Sequence, residues 1–354
     1  MEKPVRNSNH ELLRIIAMFM IVFIHANMYL FHFVGGKSAF FFNGMVNGIC
    51  NIGVTCFMLI SGYYGIQFDI KKFVRMECMM ITYSLLETGL LYLFVPEQVE
   101  GAALLEQLVK SCLPFITRKY WFYSCYVCLF LLSGYIQKFI DHLKQKEFEK
   151  LLFLLLVLFS FFPTLFYFEL IPDNGKGLFH MIMVYMIGRY IRMYRDVRLP
   201  KKAGLIVIVL WIINGVSHEI PIEIGGIYHH LCKDNSITNL TMAVIVFCLF
   251  KEMNFRSRFV NKAASNVFAV FALNDAMVTV VMALLFERGF CGKDGMIGFL
   301  ILTGVVVFIL LLCLMIGELR TFLLGKADKW LGNLVERKVM EKVTNLYFWQ
   351  GGER

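Results

Sequence analysis

The sequence predicts an all-α integral membrane protein of about ten transmembrane helices, with both termini in the cytoplasm. Three observations lead to this prediction: an apolar composition, apolar stretches long enough to cross a membrane, and an uneven distribution of cations between the loops. Of the 354 residues, 58% are hydrophobic and 17% are charged, whereas soluble domains usually carry about 25% charged residues. We therefore expect lipid to be the main solvent of this chain.

Apolar stretches recur from one end of the sequence to the other. A helix satisfies its own backbone hydrogen bonds, and about 20 apolar residues cross the hydrocarbon core. The ten predicted spans are residues 12–34, 45–66, 76–95, 120–137, 151–169, 178–194, 203–218, 238–251, 265–287 and 296–324. We expect one membrane domain over residues 1–325 and a charged, amphipathic helical tail over residues 326–354 near the cytoplasmic surface.

The loops between these spans differ in their content of lysine and arginine. If the N-terminus is cytoplasmic, most of the 35 lysines and arginines fall in the inner segments, as the positive-inside rule requires. The alternation of cation-rich and cation-poor loops indicates an even number of spans. We therefore expect a multi-pass protein of the plasma or inner membrane.

The composition also argues against other classes of protein. The net charge of +9 is explained by membrane topology. The sequence shows no basic groove with interleaved aromatic residues, so we do not predict nucleic-acid binding. Most of the ten cysteines lie in apolar runs, where cysteine packs as a small hydrophobe. His218, Glu219, His229, His230 and Cys232 match no known zinc spacing, so we predict no metal site.

The first span carries two ionisable residues, Arg14 and His25. They are eleven residues apart, which is about 20° more than three helical turns and roughly 16 Å of rise, so both lie on one helix face. Ionisable groups inside a membrane are costly and often functional. Two interpretations are open. Either Arg14 reaches the interface while His25 bonds a neighbouring helix, or both are functional on a face that joins the inner surface, at Arg14, to the middle of the membrane, at His25.

Residues 9–25 read Asn-His-Glu-Leu-Leu-Arg-Ile-Ile-Ala-Met-Phe-Met-Ile-Val-Phe-Ile-His. They resemble the first helix of the acyltransferase-3 family of membrane acyltransferases, whose signature is an arginine, ten residues and a histidine. The resemblance continues through residues 57–63, the basic pair Lys72 and Arg75, residues 119–123 and residues 184–190. Ten spans with cytoplasmic ends also match the family. In two places the sequence departs from the family: Lys72 replaces an arginine, and Asn274 stands near where many relatives carry histidine.

The resemblance implies an O-acyltransferase that moves acetyl from cytoplasmic acetyl-coenzyme A to a hydroxyl of an envelope glycan or a similar acceptor. Histidine titrates near neutral pH, so His25 is the expected general base. Arg14, with its planar fork for phosphate, and the pair Lys72 and Arg75 would bind coenzyme A. Asp275 would either line the catalytic site or pair structurally with a buried cation. The expected acceptor-binding residues are Lys119, Tyr120, Trp121, Tyr123, Tyr185 and Asn274.

Several alternatives stay open at this point. Lys72 and Arg75 also serve as topogenic charges, and residues 119–123 also suit anchoring at the membrane interface. Ser61 is either an acyl carrier or a helix-packing residue. The second functional hypothesis is a carrier or flippase that exports a glycan, an amino acid or a lipid-linked sugar. A product that needs a second transfer step would require a separate acyl-transfer partner.

Overall fold

The structure is a computed structural model that describes residues 7–167, 169–194, 199–224, 227–289 and 295–351. The described residues form fifteen α-helices, a short 3-10 helix, a π-helix and one hairpin. The helices are α1 (Ser8–Asn27), α2 (Leu30–Phe33), α3 (Gly36–Cys50), α4 (Ile52–Tyr64), α5 (Ile70–Phe94), α6 (Ala102–Cys112), α7 (Trp121–His142), α8 (Gln145–Leu156), α9 (Phe162–Phe166), α10 (Leu178–Met193), α11 (Ala203–Glu219), α12 (Ile237–Glu252), α13 (Arg258–Ala264), α14 (Val267–Glu287) and α15 (Gly295–Gly351). The 3-10 helix is Pro96–Gln98, and the π-helix is Val157–Phe161.

Helices occupy all ten predicted spans, so the prediction of an all-α membrane protein is confirmed in outline. Among the described residues, six helical segments are long and apolar enough to cross a membrane: Ser8–Asn27, Gly36–Tyr64, Trp121–His142, Gln145–Phe166, Val267–Glu287 and Gly295–Glu341. The other four predicted spans coincide with α5, α10, α11 and α12. The count of ten spans and the cytoplasmic orientation of the termini stay predictions.

Two features differ from the sequence analysis. A short antiparallel hairpin follows α11, formed by β1 (Ile222–Ile224) and β2 (Ile227–His229). The helix α15 runs without a break through residue 325, where the tail was expected to begin as a separate element. No proline interrupts this stretch, and the Lys71 ammonium lies 2.8 Å from the Glu336 carboxylate, which ties the extension to α5.

Polar side chains determine where four helices begin. Asn7, Asp69, Ser236 and Ser257 precede α1, α5, α12 and α13, and each accepts a hydrogen bond from a backbone N–H in the first turn. Such a cap satisfies one of the donors that a helix N-terminus leaves without a partner. The apolar sequence therefore supplies the length of each span, and short polar residues set its start.

Helix α1 occupies a central position in the bundle. It packs against α3, α4, α12, α13, α14 and α15. Its fully buried Leu13 and Ala17 belong to one apolar cluster, and its fully buried Met18 and Val22 belong to another. Because α1 contacts so many neighbours, about half of its residues are buried by other parts of the bundle.

Glycine allows α4 and α10 to approach closely. A Cβ atom at Gly62 would collide with the Tyr185 carbonyl oxygen, and one at Gly188 would lie 2.5 Å from the Leu59 carbonyl oxygen. Small residues at such crossings let two helix backbones come into contact, which strengthens the van der Waals attraction between the helices within a membrane. The Ser-Gly-Tyr motif of the second predicted span therefore includes a packing glycine.

We predict that Gly62→Ala destabilises the protein by about 1–3 kcal/mol, because the added methyl group forces α4 away from α10. Denaturant unfolding in mixed micelles measures this. The control is Gly134→Ala on α7, where a Cβ atom meets nothing within 4 Å and the substitution favours the helix. Equal stability of the two variants would contradict the close crossing.

Candidate functional site

A cavity of about 260 Å³ lies between the helices and includes most of the predicted site residues. One part of its wall is apolar and is formed by Met18 and Ile21 of α1 and by Val54 and Phe57 of α4. The polar part of the wall comprises Asn51, His25, Glu87, Lys119, Tyr120, Trp121, Lys176, Asp234, Asn274 and Asp275. The cavity is therefore amphipathic, with its ionisable groups collected from several elements.

His25 and Asp275 form a hydrogen-bonded pair in the wall of this cavity. The His25 Nδ1 atom lies 3.2 Å from the Asp275 Oδ1 atom, although the two residues belong to α1 and α14. The two side chains are 37% and 71% exposed, because both face the cavity rather than packed side chains. With the Nδ1 proton donated to Asp275, a neutral imidazole has an unprotonated Nε2 atom available as an acceptor.

The position of His25 along α1 differs from the one that a span of residues 12–34 implied. The helix ends at Asn27, so His25 lies in its last turn rather than near its middle. The Asp275 backbone lies inside α14, where its carbonyl oxygen accepts a hydrogen bond from the Thr279 hydroxyl at 3.0 Å. The pair is therefore built from one helix end and one regular helical segment.

Asn274, the residue next to Asp275, also faces the cavity. Its side chain is almost fully buried, and its Nδ2 atom donates to the Phe271 carbonyl oxygen at 2.6 Å. In the part of the chain that the structure describes, its Oδ1 atom has no hydrogen-bond partner. This oxygen is an acceptor that a ligand could satisfy.

Lys119 lines the cavity but is held by a polar network on α5 and α6. Its ammonium lies 3.4 Å from the Glu87 carboxylate, 2.9 Å from the Ser111 hydroxyl and 3.2 Å from the Thr88 hydroxyl. The Tyr120 hydroxyl donates a hydrogen bond to the same Glu87 carboxylate. The side chains of Lys119 and Glu87 are only 7% and 10% exposed, and burial lowers the pKa of Lys119. This network fixes the start of α7 against α5.

The remaining predicted acceptor residues divide into two groups. Trp121 lines the cavity beside Tyr120. Tyr123 and Tyr185 are fully buried and do not line it. Tyr123 packs against Phe268, and the Tyr185 hydroxyl accepts a hydrogen bond from the backbone N–H of Ile66 at 3.3 Å. Tyr123 is therefore placed for packing, and Tyr185 for supporting the backbone just after the end of α4.

The predicted coenzyme A residues lie outside the cavity. Arg14 is paired with Glu11 at 2.9 Å and is 26% exposed. It lies four residues before Met18, so one helical turn, about 6 Å, separates it from the cavity wall. Lys72 and Arg75 are exposed in the first two turns of α5. All three lie at the end of the bundle where α1 and α5 begin, which we call the Arg14 face.

His218, in the last turn of α11, belongs to a polar chain. Glu219 accepts hydrogen bonds from Asn43 at 2.6 Å and from His218 at 3.0 Å. Asn43 in turn accepts one from Asn27 at 2.7 Å, which connects α11 to the end of α1. Across the described ranges, no three His, Cys, Asp or Glu side chains converge as metal ligands.

Sequence reasoning missed three charged residues of the cavity wall. Glu87 was detectable, because a carboxylate inside an apolar run is costly unless it is paired. Lys176 and Asp234 gave no comparable signal, since each lies in a loop where charges are common. Only the packing of one loop on another brings them to the cavity.

The site thus combines a helical membrane bundle with a histidine–carboxylate pair that faces an amphipathic cavity. Residues 7–318 match the family model described as an acyltransferase domain. The chain therefore belongs to the acyltransferase-3 family, as the resemblance predicted, and is in general terms a membrane acyltransferase. No curated protein and no solved structure matches the chain.

We predict that Lys119→Met destabilises the protein by about 3–5 kcal/mol, because it leaves the buried Glu87 carboxylate without its cation. The double variant Lys119→Met/Glu87→Gln should recover most of this loss, as measured by denaturant unfolding in mixed micelles. The control is Lys110→Met, which breaks an exposed ion pair with Glu106 and should cost less than about 1 kcal/mol. An equally unstable double variant would contradict the pairing.

Proposed function

We propose that this protein transfers an acetyl group from cytoplasmic acetyl-coenzyme A to a hydroxyl of an envelope glycan or a similar acceptor. One observation carries the proposal: the His25 imidazole is hydrogen-bonded to Asp275 and faces an internal cavity. Acyl transfer to a hydroxyl needs a base for the acceptor proton. A histidine oriented by a carboxylate is a suitable base at neutral pH.

The proposed step begins with the His25 Nε2 atom accepting the proton of the acceptor hydroxyl. The hydroxyl oxygen then bonds to the carbonyl carbon of the thioester, and the carbon–sulfur bond breaks. The proton passes from His25 to the leaving thiolate, so the products are an acetyl ester and free coenzyme A. Atoms and charge balance without another reactant.

Asp275 has two roles in this step. Its carboxylate accepts the Nδ1 proton of His25, which keeps Nε2 unprotonated before the reaction. It then stabilises the imidazolium that forms when the acceptor proton is taken. The positive charges of Lys119 and Lys176 in the cavity wall favour the negative charge that develops on the thioester oxygen.

The size and lining of the cavity suit one end of an acyl-coenzyme A. A volume of about 260 Å³ is slightly below the roughly 300–1,000 Å³ of pockets that enclose drug-sized ligands. The cavity therefore suits the acyl thioester, and the nucleotide would remain outside it. Arg14, Lys72 and Arg75 supply cations for the phosphates at the Arg14 face.

A carrier or flippase is the second candidate, and one observation favours it. Within the helical segment Gly36–Tyr64, the regular α-helix changes at the single residue Asn51, between α3 and α4, and Asn51 borders the cavity. Interrupted helices at a binding site are typical of carriers. Solute flux into liposomes without thioester consumption would support the carrier and exclude the transferase.

We predict that His25→Ala lowers acetyl transfer by at least about 100-fold, because it removes the general base. Asp275→Asn should retain the fold and also lower transfer strongly, since an amide cannot stabilise the imidazolium. Thioester consumption and ester formation by purified protein in nanodiscs measure both effects. The control is His32→Ala, because His32 is exposed on α2 and lies outside the cavity. Wild-type turnover by His25→Ala would contradict the assignment.

We further predict that Arg14→Ala weakens coenzyme A binding by about 10- to 100-fold, as expected for the loss of a charged hydrogen bond. Glu11→Gln serves as the matched control, because it removes the partner of Arg14 while leaving the guanidinium in place. Its affinity for coenzyme A should equal or exceed that of the wild type. Calorimetry on the full chain measures these affinities. Equal affinity of the wild type and both variants for coenzyme A would show that Arg14 does not have this role.

A further inference from the structure

Two loops close the cavity on the side opposite to the Arg14 face, and they are packed tightly on each other. The loop before α10 contains Glu169, Gly175 and Lys176. The loop before α12 contains Lys233, Asp234 and Asn235. Gly175 has a φ of +80°, and a Cβ atom there would lie 2.5 Å from the backbone nitrogen of Asn235. The Lys233 ammonium also lies 2.9 Å from the Glu169 carboxylate, and both side chains are mostly buried. These contacts hold the two loops as one unit.

This loop pair places Asp234 and Lys176 in the cavity wall. Asp234 is only 6% exposed. Within the described ranges, its carboxylate takes part in no hydrogen bond and no ion pair. Burial raises its pKa to about 7, although Lys176 acts in the opposite direction. A buried carboxylate without hydrogen-bond donors is costly. A ligand that donates hydrogen bonds to Asp234 would remove this cost, and this would strengthen its binding.

The charges around the cavity indicate what kind of ligand this is. Three carboxylates, those of Glu87, Asp234 and Asp275, face two lysines, Lys119 and Lys176. Lys119 is already engaged with Glu87. Asp275 is hydrogen-bonded to His25, so an anionic acceptor would be repelled most directly by the unpartnered Asp234 carboxylate. A neutral molecule rich in hydroxyls would meet acceptors for its protons and the Lys176 ammonium for its oxygens.

We propose that Asp234 and Lys176 form the acceptor subsite and that the acceptor group is a neutral, polyhydroxylated sugar residue. One sugar hydroxyl reaches His25, while another donates a hydrogen bond to Asp234. Trp121, in the same wall, supplies an apolar surface for the sugar ring. This inference rests on the proposed function, because it specifies the acceptor of that reaction.

The first test measures binding without acetyl transfer. The full chain in nanodiscs is titrated by calorimetry with three probes: a neutral methyl hexopyranoside, the corresponding methyl uronide and the corresponding amino glycoside. The neutral probe should bind best, and Asp234→Asn should weaken its binding by at least about tenfold. The matched control is Glu223→Gln, which alters an exposed carboxylate of β1 outside the cavity and should bind like the wild type.

Lys176→Ala provides a second variant, because Lys176 is exposed and its replacement leaves the loop contacts intact. It should also weaken binding of the neutral probe by severalfold. Tighter binding of the uronide or the amino glycoside by the wild type would overturn the proposal. Absence of binding of all three probes, or unchanged binding by both variants, would overturn it as well.

The second test uses transfer and separates this inference from the proposed function. With acetyl-coenzyme A as donor, Asp234→Asn should raise the KM for the neutral glycoside by at least about tenfold. Its KM for acetyl-coenzyme A should stay unchanged. If the wild type binds the glycoside through Asp234 but transfers no acetyl group, the proposed function fails and the subsite stands. If the wild type transfers acetyl and the variant has an unchanged glycoside KM, the subsite fails alone.

Discussion

The contact between His25 and Asp275 is the constraint on which the site depends. It joins α1 to α14 across 250 residues of sequence, and it requires both helices to turn a polar face inward. A carboxylate on the lipid side of α14 would be costly, whereas in the cavity wall it lies beside an imidazole and other polar groups. The central position of α1 makes this arrangement available, because its neighbours enclose the histidine from several sides.

The sequence was sufficient to predict the helices and to single out several residues that the structure brings to one cavity, for physical reasons. Apolar runs identify helices in lipid, and the spacing of Arg14 and His25 places them on one face. Asp275 stood out as a carboxylate in an apolar run, and Asn274 stood out as a departure from the family pattern. The position of Asp234 was not predictable, because it depends on one loop packing against Gly175, and loop contacts leave no periodic pattern. The continuous α15 was missed because charged residues continue a helix as readily as they end one.

The structure gives Lys119 a different role from the one that its sequence context suggested. In the sequence it is a cation beside aromatic residues, which suits a sugar or a membrane interface. In the structure its ammonium has contacts with Glu87, Thr88 and Ser111, so its three protons have partners. It contributes charge to the cavity wall and fixes the start of α7. Under the proposed function, direct contact with an acceptor would fall to cavity groups without internal partners, such as the buried Asp234 carboxylate and the Asn274 Oδ1 atom.

The two ends of the cavity suit two different reactants. The apolar wall of Met18 and Phe57 points toward the Arg14 face, and the polar loops lie at the other end. Ser61, the candidate acyl carrier of the second span, donates its hydroxyl to the Phe57 carbonyl oxygen at 3.1 Å and lies outside the cavity wall. A serine engaged in this way is poorly placed to attack a thioester. Transfer with His25 and Asp275 needs no such carrier, so we favour direct attack by the acceptor hydroxyl over an intermediate on Ser61.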